Sequence, residues 1–302
     1  MKFGQVEDPG KIDFSLPSTH PDTISLLKNH KLETKDFHVS VGCAKWNKQD
    51  LKGFYPRGVK DELAYYATQF NAIELNATFY NSPSKEQVLT WKNKTPSDFR
   101  FFPKIPNQIS HFRRLLHVTE PTLAFCDAIS FFEEKLGMVF LQMHDNFGPK
   151  QFDRVKEYLA EFPVGTPLAV EVRNQEWFKD VEASNSFFSL LESKKVTNVI
   201  VDTAGRRDML HMRLTTPHAF IRFVGANHET DYARLEEWLD RITEWRKYGL
   251  QSLYFFVHQH VEKESPLLSA YFIQKLNKLF DLDLKVPNGK NDPEQTVLGL
   301  DK

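Results

Sequence analysis

Cysteine is scarce: Cys43 and Cys126 are the two in 302 residues. That is too few for a disulfide framework or a cysteine-ligated structural zinc, and it fits a reducing compartment. Net charge is nearly absent too, since 39 Lys and Arg stand against 40 Asp and Glu. No global field therefore drives the chain onto nucleic acid or an anionic membrane, and an anion site has to be built locally. No apolar run approaches the ~20 residues of a membrane-spanning helix, and the first residues are acidic and proline-bearing where a signal peptide needs an apolar stretch. A cytoplasmic protein is expected. Glycine-rich phosphate loops are missing, GxGxxG included, as is any HExxH-type arrangement, so no cofactor and no metal are assigned.

What the chain has is core-forming material, with 41% hydrophobic residues and 26 Phe. That excludes general disorder. Residues 1–36, with Pro9, Gly10, Pro17 and Pro21, read as a strapping N-terminal extension, and residues 285–302 as a polar C-terminal tail. Between them, in residues 37–284, eight short β-type runs alternate with segments of helical period: 38–42, 72–76, 99–104, 138–142, 168–172, 197–202, 219–223 and 253–258. The spacing predicts parallel βαβ units and, by size, one TIM (β/α)8 barrel, with an open doubly wound sheet as the alternative.

Side chains two apart share a strand face. Placing Ile73 and Leu75 towards the helices sends Glu74 and Asn76 inward. The same parity gives Glu171 and Arg173, Lys104, Gln142 with His144, Arg222, and His258 with His260; Asp202 ends the sixth strand and Trp46 follows the first. Several strands thus deliver polar groups to one mouth, where barrel enzymes put their chemistry. Buried charges must pair, shift pKa or meet a ligand. An ion-pair layer that merely stiffens the barrel is one outcome. The excess of base over acid leaves room for an anionic substrate, and His111, Arg113 and Arg114 after the third strand suit an anion clamp. Glu74, Glu171, His258 and His260 are acceptable metal ligands, and Cys43 a conceivable nucleophile.

In sequence, VGCAKWNKQDLKGFYP, LAYYATQFNAIELNATFYNSPS, TPSDFRFFPKIPNQISHFRRL, LGMVFLQMHDNFGP and LAVEVRNQEWF closely resemble the YecE-like family, domain of unknown function 72, from about residue 38 to about 280. The resemblance implies a TIM barrel and no established reaction. Its E-x-N-x-T-F-Y motif falls on Glu74, Asn76, Thr78, Phe79 and Tyr80, and its E-x-R on Glu171 and Arg173. Its Gly-Thr-Ser-Gly-Trp run lands on Gly42, Cys43, Ala44, Lys45 and Trp46, where three of five residues differ. The expected function is an enzyme, a hydrolase or lyase, acting on a small or terminal anionic substrate bearing phosphate or carboxylate. Glu74, Glu171 and His111 are the expected catalytic residues, with Glu74 or Glu171 as general acid/base and His111 orienting the substrate. Trp46, Asn76, Tyr80, Lys104, Arg114, Gln142, Arg173, Asp202, Arg222 and His258 are expected to bind substrate. The alternatives are a metal-dependent hydrolase or lyase resembling the endonuclease-IV or xylose-isomerase barrels, acting on nucleic acid, and a non-catalytic ligand-binding barrel. Nothing in the sequence fixes an oligomeric state.

Overall fold

The computed structural model describes residues 3–30 and 37–288. All eight alternating runs form strands: β1 (His38–Cys43), β2 (Ala72–Leu75), β3 (Arg100–Pro103), β4 (Val139–Gln142), β5 (Leu168–Glu171), β6 (Thr197–Thr203), β7 (His218–Gly225) and β8 (Ser252–Gln259). In chain order the helices are α1 (Pro21–Asn29), α2 (Glu62–Gln69), α3 (Ala77–Tyr80), α4 (Lys85–Asn93), α5 (Thr119–Ser130), α6 (Phe152–Glu161), α7 (Glu176–Lys179), α8 (Val181–Ser193), α9 (Thr230–Tyr248) and α10 (Ser265–Phe280). Of the capping box read at Ser84, the N-cap half is present: its hydroxyl accepts from Gln87 N at 3.3 Å and opens α4. After β6, where the sequence offers no helical period, the chain makes a 3-10 turn over Ala204–Met209.

The architecture is mixed α/β. A curled six-stranded parallel sheet, ordered β1-β8-β7-β6-β5-β4, accompanies a two-stranded parallel sheet of β2 and β3. Continuous ladder pairing stops at two seams. Between β3 and β4 lie isolated bridges at Phe101–Leu136 and Lys104–Phe140, with Ile105 N donating to Phe140 O at 2.9 Å. Between β1 and β2, side chains replace the ladder: Asn71 accepts from Val41 N at 2.9 Å and donates to Val39 O at 2.8 Å. The Tyr66 hydroxyl accepts from Cys43 N and donates to Ala72 O. Gly42 lets the strands approach this closely, since a Cβ there would sit 2.1 Å from Ala72 O.

The strand faces build two apolar layers. Val41, Ile73, Leu141, Val170, Ile221 and Phe255 belong to the large cluster under the helices. Inside the curl lie Ala72, Phe102, Phe140, Ala169, Phe220 and Phe256, with the Phe102 and Phe256 centroids 4.8 Å apart. The described part of the extension crosses α9: Leu16 N donates to Glu237, the Thr19 hydroxyl to Glu244, and Leu26 and Leu27 of α1 are buried. Of the polar tail read at 285–302, residues 289–302 lie outside the described residues. No described helix is long and apolar enough to cross a membrane.

Gly42→Ala is expected to force β1 off β2 and to cost ~2 kcal/mol or more, read as a lower urea midpoint with unchanged slope.

Candidate functional site at the carboxyl ends of the strands

Two residues beyond each inner apolar residue, the same face carries a polar one: Ala72 leads to Glu74, Phe102 to Lys104, Phe140 to Gln142, Ala169 to Glu171, Phe220 to Arg222 and Phe256 to His258. Glu74 and Glu171 are buried at 0% and 1% exposure. An ionised carboxylate at that depth needs donors, and Arg222 serves both. Its Nε and Nη2 fork onto Glu74 at 2.8 and 2.9 Å, and its Nη1 reaches Glu171 at 2.7 Å. Glu74 also accepts from Asn76 Nδ2 at 2.8 Å and from His258 Nε2 at 2.9 Å. Glu171 accepts from Arg173 Nε at 2.6 Å, and both its oxygens accept from Gln142 Nε2 at 3.0 Å. Burial pushes both carboxyls up, but Arg222 outweighs it. With His258, it holds Glu74 well below the usual carboxylate range. With Arg173, it holds Glu171 at about 2. Arg222 itself is raised by the two carboxylates against its own desolvation.

Two guanidiniums match two carboxylates, which leaves Lys104 as surplus positive charge. Its ammonium donates to Gln142 Oε1 at 2.8 Å and lies 4.1 Å from the Phe79 ring centroid. Among the described residues it enters no ion pair. Burial, and then the neighbouring Arg222 charge, bring it from 10.5 down to about 7. His111, in a π-helical turn over Gln108–Phe112, sets its ring edge-on to Phe79 at 4.9 Å and bonds Ser110 Oγ through Nδ1 at 2.9 Å. Burial and the Lys104 charge lower it to about 4, so it is neutral at pH 7.

Glu74, Asn76, Lys104, Gln142, Glu171, Arg173, Arg222 and His258 thus form one bonded network, with His111 joined to it through Phe79. Four expected residues stand apart. Asp202 is on the other face of β6, because Val199 and Val201 point inside the curl; it pairs with Arg207 and Arg234 and accepts from Trp238 Nε1 of α9. Trp46 packs edge-on against Trp91 of α4, whose ring stacks on Phe132 in the helix-side layer. Tyr80 is 70% exposed. Its motif neighbour Phe79 turns inward instead, and one turn of α3 decides which of the two faces the site. Arg114 sits at φ 48 in the turn after the π-helical segment and bonds to no member of the network. Cys43 faces α10, 3.7 Å from Ser269 Oγ, and burial raises its thiol, which removes it as a nucleophile.

Sequence reasoning missed Phe79, although the motif contained it, and Phe3 of the extension, whose ring lies 3.8 Å from the Arg173 guanidinium. Among the described residues no group of three or more His, Cys, Asp or Glu side chains is placed to hold a metal ion. An open cleft of about 380 Å³ adjoins the network, lined by Arg173 and Arg206, by Asp145, Glu176 and Asp208, and by Asn174 and Gln175. A slightly larger one, about 420 Å³, beyond β7 and β8 is lined by none of the network.

Because Glu171 is held at about 2 against an ordinary 4.5, its contribution to stability is complete above pH 4.5 and fades as the pH falls towards 2. Arg222→Met is expected to cost about 3–5 kcal/mol at pH 7 in urea unfolding, and less near pH 4, where the abandoned carboxylates take up protons. Lys104 has the opposite sign. The unfolded chain binds its proton more tightly between pH 7 and 10.5, so the cost of burying it is largest at and below pH 7. Lys104→Met is expected to be more stable than the wild type at pH 7, by on the order of 2 kcal/mol, with the advantage fading towards pH 10.

A sequence model described as "Protein of unknown function DUF72" matches residues 40–291. The chain is 28% identical over 262 residues to the UPF0759 protein YecE of Escherichia coli (strain K12), covering 80% of this chain and 93% of that protein. It is 27% identical over 154 residues to the UPF0759 protein YunF of Bacillus subtilis (strain 168), covering 46% and 52%. Among solved structures, a DUF72 family protein from Enterococcus faecalis V583 superposes with a TM-score of 0.66 at 17% identity, over 81% of this chain and 99% of that one. One from Thermotoga maritima MSB8 gives 0.63 at 25%, over 80% and 99%. With the family's sequence model spanning most of its length, the chain belongs to the YecE-like DUF72 family.

Proposed function

We propose that the protein is an enzyme that binds a small or terminal anionic substrate, bearing phosphate or carboxylate, at the carboxyl ends of its strands, with Lys104 as the group that exchanges a proton. The supporting observation is the unmatched Lys104 amine: a buried cation whose one hydrogen-bond acceptor among the described residues is a neutral amide. A bound anion would supply the charge partner that the protein withholds. Arg173, partly exposed on the wall of the 380 Å³ cleft, is the second contact on this reading.

The acid/base assignment moves accordingly. A general acid has to hold a proton at working pH, and Glu74 and Glu171 are both held low. They serve as fixed negative charges that orient Arg222 and Arg173, while Lys104, at about 7, is poised between its two states. The reading also takes the two sheets as one closed (β/α)8 barrel, supported by the bonds across both seams, and the two free, buried thiols agree with a cytoplasmic setting. A non-catalytic ligand-binding barrel is the second reading, favoured by Glu74, both of whose oxygens are already engaged by donors.

Inorganic phosphate is expected to raise the thermal midpoint of the wild type, and Arg173→Gln to weaken phosphate binding about tenfold or more, as measured by calorimetry. Equal binding by both proteins would remove the anion site from this mouth. Glu74→Gln separates the two readings once an activity is assigned. On the enzymatic reading it lowers kcat by disturbing Arg222, with phosphate binding kept.

A further inference from the structure

With the anion also gripped by the Arg173 guanidinium, the Lys104 amine is able to give up its proton near neutrality. What a neutral primary amine does better than other side chains is add to a carbonyl carbon. Three features of the site suit that reaction. The Lys104 Nζ lies against the faces of Phe79 and Phe140, at 4.1 and 5.9 Å from their centroids, so water is largely displaced around it. Its hydrogen-bond acceptor is an amide oxygen, which leaves the lone pair free once the proton departs. Arg173 is three hydrogen bonds away along the chain Lys104–Gln142–Glu171–Arg173, whose steps are 2.8, 3.0 and 2.6 Å.

We propose that Lys104 captures the carbonyl group of a small aldehyde or keto acid as a protonated Schiff base while Arg173 holds that substrate's carboxylate or phosphate. The inference rests on the anion-binding reading above and adds to it a covalent step and a carbonyl substrate class. In that step the Nζ lone pair forms a bond to the carbonyl carbon, and the carbon–oxygen π pair moves to oxygen, which takes up a proton. The nitrogen releases one proton. The hydroxyl then takes up a proton and leaves as water, as the nitrogen lone pair closes the C=N bond. Overall, amine, carbonyl compound and one proton give iminium and water, with nothing oxidised or reduced. The iminium keeps at Lys104 the positive charge that Glu171 and the substrate's own anionic group then face.

Arg222 from β7 and Arg173 beyond β5 oppose a proton on Lys104, while Glu171 and Glu74 favour one but are already engaged by the guanidiniums. The His111 ring is edge-on to the same Phe79 whose ring Lys104 faces.

The test uses the full-length protein with glyoxylate as probe, sodium cyanoborohydride as trap, and peptide mass mapping as readout. One dominant adduct is expected, on the Lys104 peptide. It should form at least tenfold faster than on any exposed lysine, accelerate through neutral pH, and be suppressed by inorganic phosphate. Arg173→Gln is expected to slow trapping of glyoxylate about tenfold more than it slows trapping of uncharged propionaldehyde. Adducts spread over exposed lysines with Lys104 unmodified would overturn the Schiff base. If phosphate still binds the wild type and fails on Arg173→Gln in that case, the anion site stands without the covalent step; if phosphate binds neither, both readings fall. The wild-type map needs no variant to fold.

Discussion

One guanidinium holds the mouth of this protein together. Arg222 bridges two carboxylates that come from β2 and β5, strands belonging to different sheets, and it does so at a depth where neither could stay ionised alone. Taking such charges out of water is expensive, and the mutual attraction repays it only because the remaining oxygen lone pairs also find donors in Asn76, His258, Gln142 and Arg173. The arrangement therefore fixes geometry more than it adds stability. It leaves two acids that stay ionised, one arginine that stays charged, and one lysine, Lys104, whose hold on its proton is weakened by burial and by Arg222.

Much of this was legible in the sequence, and the reason is parity. Phe102 and Lys104, Phe140 and Gln142, Phe220 and Arg222, Phe256 and His258 repeat one rule: an aromatic inside the curl, then a polar group one layer higher. Once the helix-facing residues are identified the polar layer follows. The rule holds while a strand lasts, and applying it to β6 would have sent Val199, Val201 and Thr203 inward and Asp202 out to α9. Past the strand ends it fails. Trp46, Tyr80 and Arg114 lie in turns and a one-turn helix, where a rotation of one residue exchanges Tyr80 for Phe79 and no periodicity records which way it goes.

The seams were beyond the sequence for a different reason. Counting strands gives eight, but whether adjacent strands pair depends on how closely their backbones approach. Between β1 and β2, Asn71 and Tyr66 occupy the bonding positions that a neighbouring strand would have filled. Their side chains look like ordinary helix-end and core residues in the sequence, and only the three-dimensional fold shows them doing the work of a ladder.

The Phe3 ring lies 3.8 Å from the Arg173 guanidinium, and Gly4 O, which accepts from Gly205 N at 2.8 Å, anchors that stretch of the extension. With that face covered, an anion bound at Arg173 would meet the guanidinium along its edge, and its two sides would see unlike surroundings. The asymmetry would originate in a phenylalanine that lies ahead of the family's matched region, residues 40–291.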